Sequence, residues 1–363
     1  MTPEDFRRLL VREGLVADSA LPLLDEGDSS PWFVRLLAGA GAWLAALFLY
    51  GAIAAVAWPL LGSAPARLIV GLVACAGCAL ATRLRPEPAG VFLSQLLLAT
   101  SLAGFLLVLA GASEWAGLMK VSLLAALLAA ILLPANPEPI HRQAMALTLV
   151  AALAVAATDL GGLEPLGLLL AAAALLLWTT QARWAAAARA PIVVPLATAV
   201  TAGVVLVPAL ATDPLVRLGA ERVAWPSWLM PAGLGVLLVA AVLIVARDLR
   251  AGASGAGTPA WLPWTALAAT AAVTAATYSA PGVLACLLAW LLAMAAGRGA
   301  LAGLALVALG WYLVRLYYGL ETSLLGKGLA LMATGAVLVC LQFGLRRLSR
   351  PPGPAATAGD IHA

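Results

Sequence analysis

Apolar runs of about 15–25 residues recur down the chain, separated by short stretches that hold most of its arginines. A run of that length crosses the ~30 Å hydrocarbon core of a bilayer as a helix. Hydrocarbon offers no partner to backbone N–H and C=O groups, so each run must satisfy its own backbone as a helix. A membrane β-barrel would alternate apolar and polar residues, and none of these runs alternates. The composition agrees: 63% of the 363 residues are hydrophobic and 10% charged, against roughly 25% charged in soluble domains. The expected class is an all-α, polytopic transmembrane helical bundle.

Twelve spans are expected, at about residues 36–61, 67–82, 89–111, 118–134, 143–158, 165–181, 191–212, 228–246, 259–278, 281–297, 299–318 and 324–345. The second, fifth and tenth are short, and losing any one would reverse the side of the C-terminus. Basic residues near span ends set orientation. With the N-terminus inside, 15 of the 21 basic residues fall on the cytoplasmic side, Arg83, Arg85, Arg142, Arg183 and Arg189 among them. Six fall on the other: Arg67, Lys120, Arg217, Arg222, Arg315 and Lys327. That split favours about twelve spans with both termini cytoplasmic. Trp58, Trp115, Trp178, Trp225, Trp228, Trp261 and Trp264 lie near span ends, as an interfacial aromatic belt requires.

Three segments follow from this layout. Residues 1–30 form a cytosolic preface of short helices, started by Thr2-Pro3-Glu4-Asp5 and carrying Phe6, Leu9 and Leu10 at helical spacing. Residues 31–350 form the transmembrane domain, and 351–363 a Pro/Gly/Ala tail expected to be disordered. No cleaved signal peptide is expected, because the first apolar run is too long for one. The net charge of +4 comes from arginines spread over many loops, which orientation explains without nucleic acid. The dominance of Arg, Ala, Leu and Gly suggests a GC-rich bacterial genome. The lipid bilayer is the first partner expected.

Catalytic patterns are absent from the sequence. No H-E-x-x-H, phosphate-binding loop, G-x-S-x-G or D-x-D motif occurs. His141 reads as a solvated histidine in an inner loop, with Glu138 its only acidic neighbour in sequence, and His362 falls in the tail. Cys75, Cys78, Cys286 and Cys340 lie inside apolar runs and read as small packing residues. The C-x-x-C spacing of Cys75 and Cys78 lacks the soluble βαβ setting of a redox motif. No cofactor or metal is expected.

Ion coupling needs an ionisable group near mid-bilayer, and every Asp and Glu falls in a loop or at a span end. The deepest polar groups are uncharged: Ser94, Gln95, Thr100, Ser101, Thr198 and Thr201. Thr270, Thr274 and Thr277 share one helix face, so Gln95 with this stripe is a candidate intramembrane polar path. The same stripe, like Gly299 and Gly303, fits a seam where small residues let helices approach. Near the C-terminal end, Arg315, Tyr317, Tyr318, Glu321 and Lys327 cluster around a short outer turn. They read as an interfacial anchor or as a polar contact site for a lipid headgroup or a partner's carboxylate.

Two stretches carry a family resemblance. One is Ser30-Pro31-Trp32-Phe33-Val34-Arg35, running into Gly39, Gly41, Trp43, Leu44 and Ala45; the other is Tyr317-Tyr318 followed by Leu324, Leu325, Lys327 and Gly335. In these the chain resembles an uncharacterised family of bacterial polytopic membrane proteins, the domain-of-unknown-function family numbered 4401. Gly328 departs from the pattern, where a small hydroxyl residue is expected. The resemblance implies an inner-membrane location and association with related membrane proteins, some carrying a GDYXXLXY-type sequence. It implies no activity. The expected function is that of a non-enzymatic subunit or scaffold of a membrane assembly. The alternative is an uncoupled transporter or flippase of an amphipathic or lipid-like substrate, and a third reading is an enzyme of lipid or envelope chemistry.

Overall fold

A computed structural model describes residues 32–84, 91–212, 225–252, 262–278, 280–319 and 332. The preface, the expected span at 324–345 and the tail lie outside these residues. Among the described residues there is no strand. The helices are α1 (Trp32–Leu61), α2 (Ala64–Arg83), α3 (Val91–Ala112), α4 (Leu118–Ala135), α5 (Pro139–Asp159) and α6 (Leu163–Thr179). They continue with α7 (Gln181–Ala186), α8 (Ala190–Thr212), α9 (Leu229–Gly252), α10 (Leu262–Ala276), α11 (Pro281–Ala295) and α12 (Gly299–Gly319).

Seven of them contain stretches long and apolar enough to cross a membrane: α2, α3, α4, α5, α8, α9 and α12. Shorter apolar stretches run over Gly39–Ala52 in α1, Leu163–Thr179 and Pro281–Ala295. The chain is therefore a helical protein of multi-pass membrane character. Each of the first eleven expected spans coincides with a helix, and one helix, α7, was not expected. It turns back beneath α6, burying Trp184, whose Nε1 donates to the carbonyl of Leu177 at 2.8 Å.

The described helices divide into two units. The first takes in residues up to Asp159 together with Ala187–Ala199; the second takes in Leu160–Ala186 and the chain from Val200.

In the first unit α2 packs along α3, and α4 pairs with α5. The α2–α3 seam is built from small residues. Gly71, Cys75 and Cys78 recur at four and three residues, which puts them on one face of α2, and all three are buried. Opposite them the backbones come so close that a Cβ on Gly71 would lie 2.5 Å from the carbonyl oxygen of Gly104. A Cβ on Gly111 would lie 2.8 Å from the carbonyl oxygen of Ala64. Lipid tails are as apolar as the helices themselves, so such close van der Waals packing is what drives helix association in a bilayer. At the Ala64 end of α2, Arg67 pairs with Glu114 and donates to the carbonyl of Leu61 at 2.9 Å.

In the second unit α11 packs against α12 and α9, and α9 packs against α6 and α10. Val205, Val283, Cys286, Ala289, Ala305 and Tyr312 form a core cluster. The Tyr312 ring lies flush on Gly282, where any Cβ would collide with it. Its hydroxyl donates to the carbonyl of Val205 at 2.7 Å.

Two packing expectations are corrected. Gly299 and Gly303 form no seam among the described residues: a Cβ at either position would meet nothing within 4 Å. Trp178 does not join an interfacial belt. It is buried and donates from Nε1 to Thr201 Oγ1 at 2.9 Å. Trp115, Trp225, Trp228 and Trp264 are exposed, and the side chains of Trp58 and Trp261 lie outside the described residues.

Candidate functional site

The proposed polar contact is described only in part. Arg315 lies in the last two turns of α12, where its Nη2 donates to the carbonyl of Thr212 at 3.2 Å. Its guanidinium carbon sits 5.6 Å from the centre of the Trp311 ring, a cation–π arrangement. Tyr317 and Tyr318 meet edge to face at 5.4 Å, and Tyr318 is 77% exposed. Glu321 and Lys327 lie outside the described residues.

The residues of the candidate path fall in different units. Gln95, in the first, accepts a hydrogen bond from Trp43 Nε1 at 3.2 Å. Thr270, Thr274 and Thr277 run along α10 and its C-terminal turn in the second. Thr274 donates to the carbonyl of Thr270 at 2.8 Å and Thr277 to that of Val273 at 2.7 Å. Thr270 is buried, and the methyl of Thr274 faces Gly235 of α9, where an added Cβ would lie 2.5 Å from it. Threonines that bond back to their own helix satisfy the hydroxyl locally and leave the methyl for packing.

A second polar cluster, centred on α3, is the larger finding. Gln95 and Thr100 reach α1, through hydrogen bonds to Trp43 and Tyr50. Ser101 reaches α5: its Oγ lies 2.9 Å from Nε2 of His141. The Cys75 thiol of α2 donates to the Ser101 carbonyl at 3.4 Å. The expectation of a solvated His141 is therefore wrong. It is the third residue of α5 and fully buried. Among the described residues its Nδ1 has no hydrogen-bond partner.

Sequence reasoning missed this because His141 stands beside Arg142 and shortly after Asn136, Pro137 and Glu138, which together read as a loop. Pro139 instead starts the helix, its fixed φ suiting the first helical position. The signal that was available is Ser101, a hydroxyl mid-span in need of a partner.

Chemically, the cluster supplies hydrogen bonds between helices, a Ser–His pair among them. Cys75 and Cys78 are free and buried, and a buried thiol is inert as a nucleophile. Among the described residues, no group of three or more His, Cys, Asp or Glu side chains could hold a metal ion.

Residues 31–348 match the model of a family described as Domain of unknown function (DUF4401), and the chain belongs to that family. No curated protein and no solved structure matches it.

Proposed function

We propose that this member of the DUF4401 family is a multi-pass protein of the bacterial inner membrane that works, without catalysis, as a subunit or scaffold of a membrane assembly. It would cross the bilayer about twelve times, with both termini in the cytoplasm. The observation that carries this reading is how its intramembrane polar groups are used. Gln95, Thr100, Ser101 and Thr201 tie one helix to another. Thr198, Thr274 and Thr277 bond to their own helices. A carrier for an amphipathic molecule would instead hold such groups open along a path.

The contact for a partner is assigned to Arg315, Tyr317, Tyr318, Glu321 and Lys327. Tyr318 supports this: it is a large, amphipathic side chain left exposed against the ring of Tyr317, the kind of residue enriched at interfaces.

The test is native co-purification from the source membrane in mild detergent, comparing the unaltered chain with Lys327→Met. The expected result is a stoichiometric partner that is lost on substitution. Recovery of the chain alone in both preparations would overturn the assembly reading in favour of a self-contained carrier.

A further inference from the structure

Arg83 and Arg142 of the first unit meet at the end of α4, and Arg189 immediately precedes α8, to which Arg142 also bonds. Arg83, the last residue of α2, donates from Nε to the carbonyl of Ala135 at 2.6 Å and from Nη2 to that of Pro134 at 2.9 Å. Arg142 donates from Nε to the carbonyl of Asn136 at 2.9 Å and from Nη1 to that of Pro191 at 3.3 Å. Two guanidiniums thus grip three consecutive carbonyls. Arg189 stands two residues before Pro191, and its own carbonyl accepts the amides of Ile192 and Val193 as α8 begins.

Capping of α4 explains part of this arrangement. The carbonyls at a helix C-terminus lack intrahelical partners and carry roughly half a negative charge, which a cation offsets. Two guanidiniums bring about four times that charge, and Arg189 adds more.

Among the described residues no carboxylate forms an ion pair with Arg83 or Arg142: the one ion pair there is Arg67 with Glu114, so Glu138, in the same turn as Asn136, pairs with neither arginine. Each guanidinium has five N–H donors in a fork. Among the described residues, Arg83 Nη1 and Arg142 Nη2 make no hydrogen bond, and Arg189 is exposed. Exposed apolar side chains stand within a turn of these groups along the chain: Leu80 and Leu84 from α2 and the turn after it, Ile131 from α4 and Ile140 from α5.

We propose that Arg83, Arg142 and Arg189 bind the phosphate group of an anionic phospholipid, whose acyl chains lie along Leu80, Leu84, Ile131 and Ile140. Forked guanidinium donors match a phosphate's oxygens in pairs. The apolar flank selects a lipid phosphate over a free one. The site does not depend on the scaffold reading, which would stand or fall on a protein partner.

The test uses the full chain in detergent, titrated with phosphatidylglycerol, phosphatidylcholine or inorganic phosphate. Bound lipid is read by native mass spectrometry and affinity by the shift in melting temperature. The lipid-free melting temperature of each variant serves as its folding control. Phosphatidylglycerol should be retained and should raise the melting temperature, while phosphatidylcholine and inorganic phosphate should do neither at equal concentration.

Arg189→Gln should weaken phosphatidylglycerol about fivefold, the order of magnitude for one arginine at an anionic surface. Arg83→Gln should weaken it by at least as much. Arg83→Lys, which keeps the charge and loses the fork, should fall between. If Arg83→Gln fails to fold, Arg189→Gln and Arg83→Lys decide the matter. Wild-type affinity in both of those variants would overturn the site. Equal protection by inorganic phosphate would overturn the lipid assignment.

Discussion

Replacing Gly104 with Ala should split helix propensity from helix packing, because the two act in opposite directions at this position. Propensity favours Ala over Gly inside a helix by about 1 kcal/mol. Packing opposes it. The new Cβ would sit 2.8 Å from the Cβ of Ala74, 2.8 Å from the carbonyl oxygen of Gly71 and 3.2 Å from the amide nitrogen of Cys75. Carbon atoms rest at about 3.5–4.0 Å, so α2 and α3 would have to separate by roughly 0.7–1 Å. Two of the three obstructing atoms are backbone and the third is the first atom of a side chain, so none can swing aside. A gap of that size forfeits a quarter to a half of each contact well along the seam, and overpacking of this kind costs about 1–3 kcal/mol. The net expectation is a loss of up to about 2 kcal/mol.

Gly303 is the control. It lies inside α12 with nothing within 4 Å of an added Cβ, so Gly303→Ala keeps the propensity gain and should stabilise by up to about 1 kcal/mol. Both variants would be unfolded reversibly from mild detergent by titration with a denaturing one, followed by tryptophan fluorescence. A shift of the same sign in both variants would refute the close α2–α3 seam.

Further predictions concern buried polar groups and topology. Tyr312→Phe should cost about 0.5–1.5 kcal/mol in the same assay by leaving the Val205 carbonyl without its donor; no change would mean that the carbonyl finds another partner. Ser101→Ala should cost about 1–3 kcal/mol, because it strands both nitrogens of a buried His141. The double variant with His141→Leu should recover part of that loss, and strictly additive effects would show that the pair does not interact. A reporter fused after Arg350 should report the cytoplasm, and a periplasmic signal would contradict the twelve-span topology.

Helix positions were largely legible because hydrocarbon leaves the backbone no alternative. The expected span 118–134 and α4 (Leu118–Ala135) differ by one residue. The errors fall where polar residues enter a helix on account of partners distant in sequence. The fifth span was expected to begin at 143, yet α5 begins at Pro139 and carries His141 into contact with Ser101, 40 residues away. Likewise, Trp178 at the end of α6 looked interfacial, but Thr201 takes its N–H inside the second unit. Small residues misled in a different way. Gly299 and Gly303 have the spacing of a packing face and meet nothing, whereas Gly71 and Gly104 carry a seam that depends on which helix lies opposite. Apolar periodicity records that a residue avoids water. Inside a membrane it does not record whether a lipid or another helix covers it.

The measurement that tests the central claim most directly is site-specific photo-crosslinking in the native membrane from a reactive residue placed at Tyr318. This position is 77% exposed and belongs to the assigned contact. The assembly reading predicts one discrete crosslinked protein species, lost when Lys327 is replaced by Met. Crosslinking to lipid alone would contradict it.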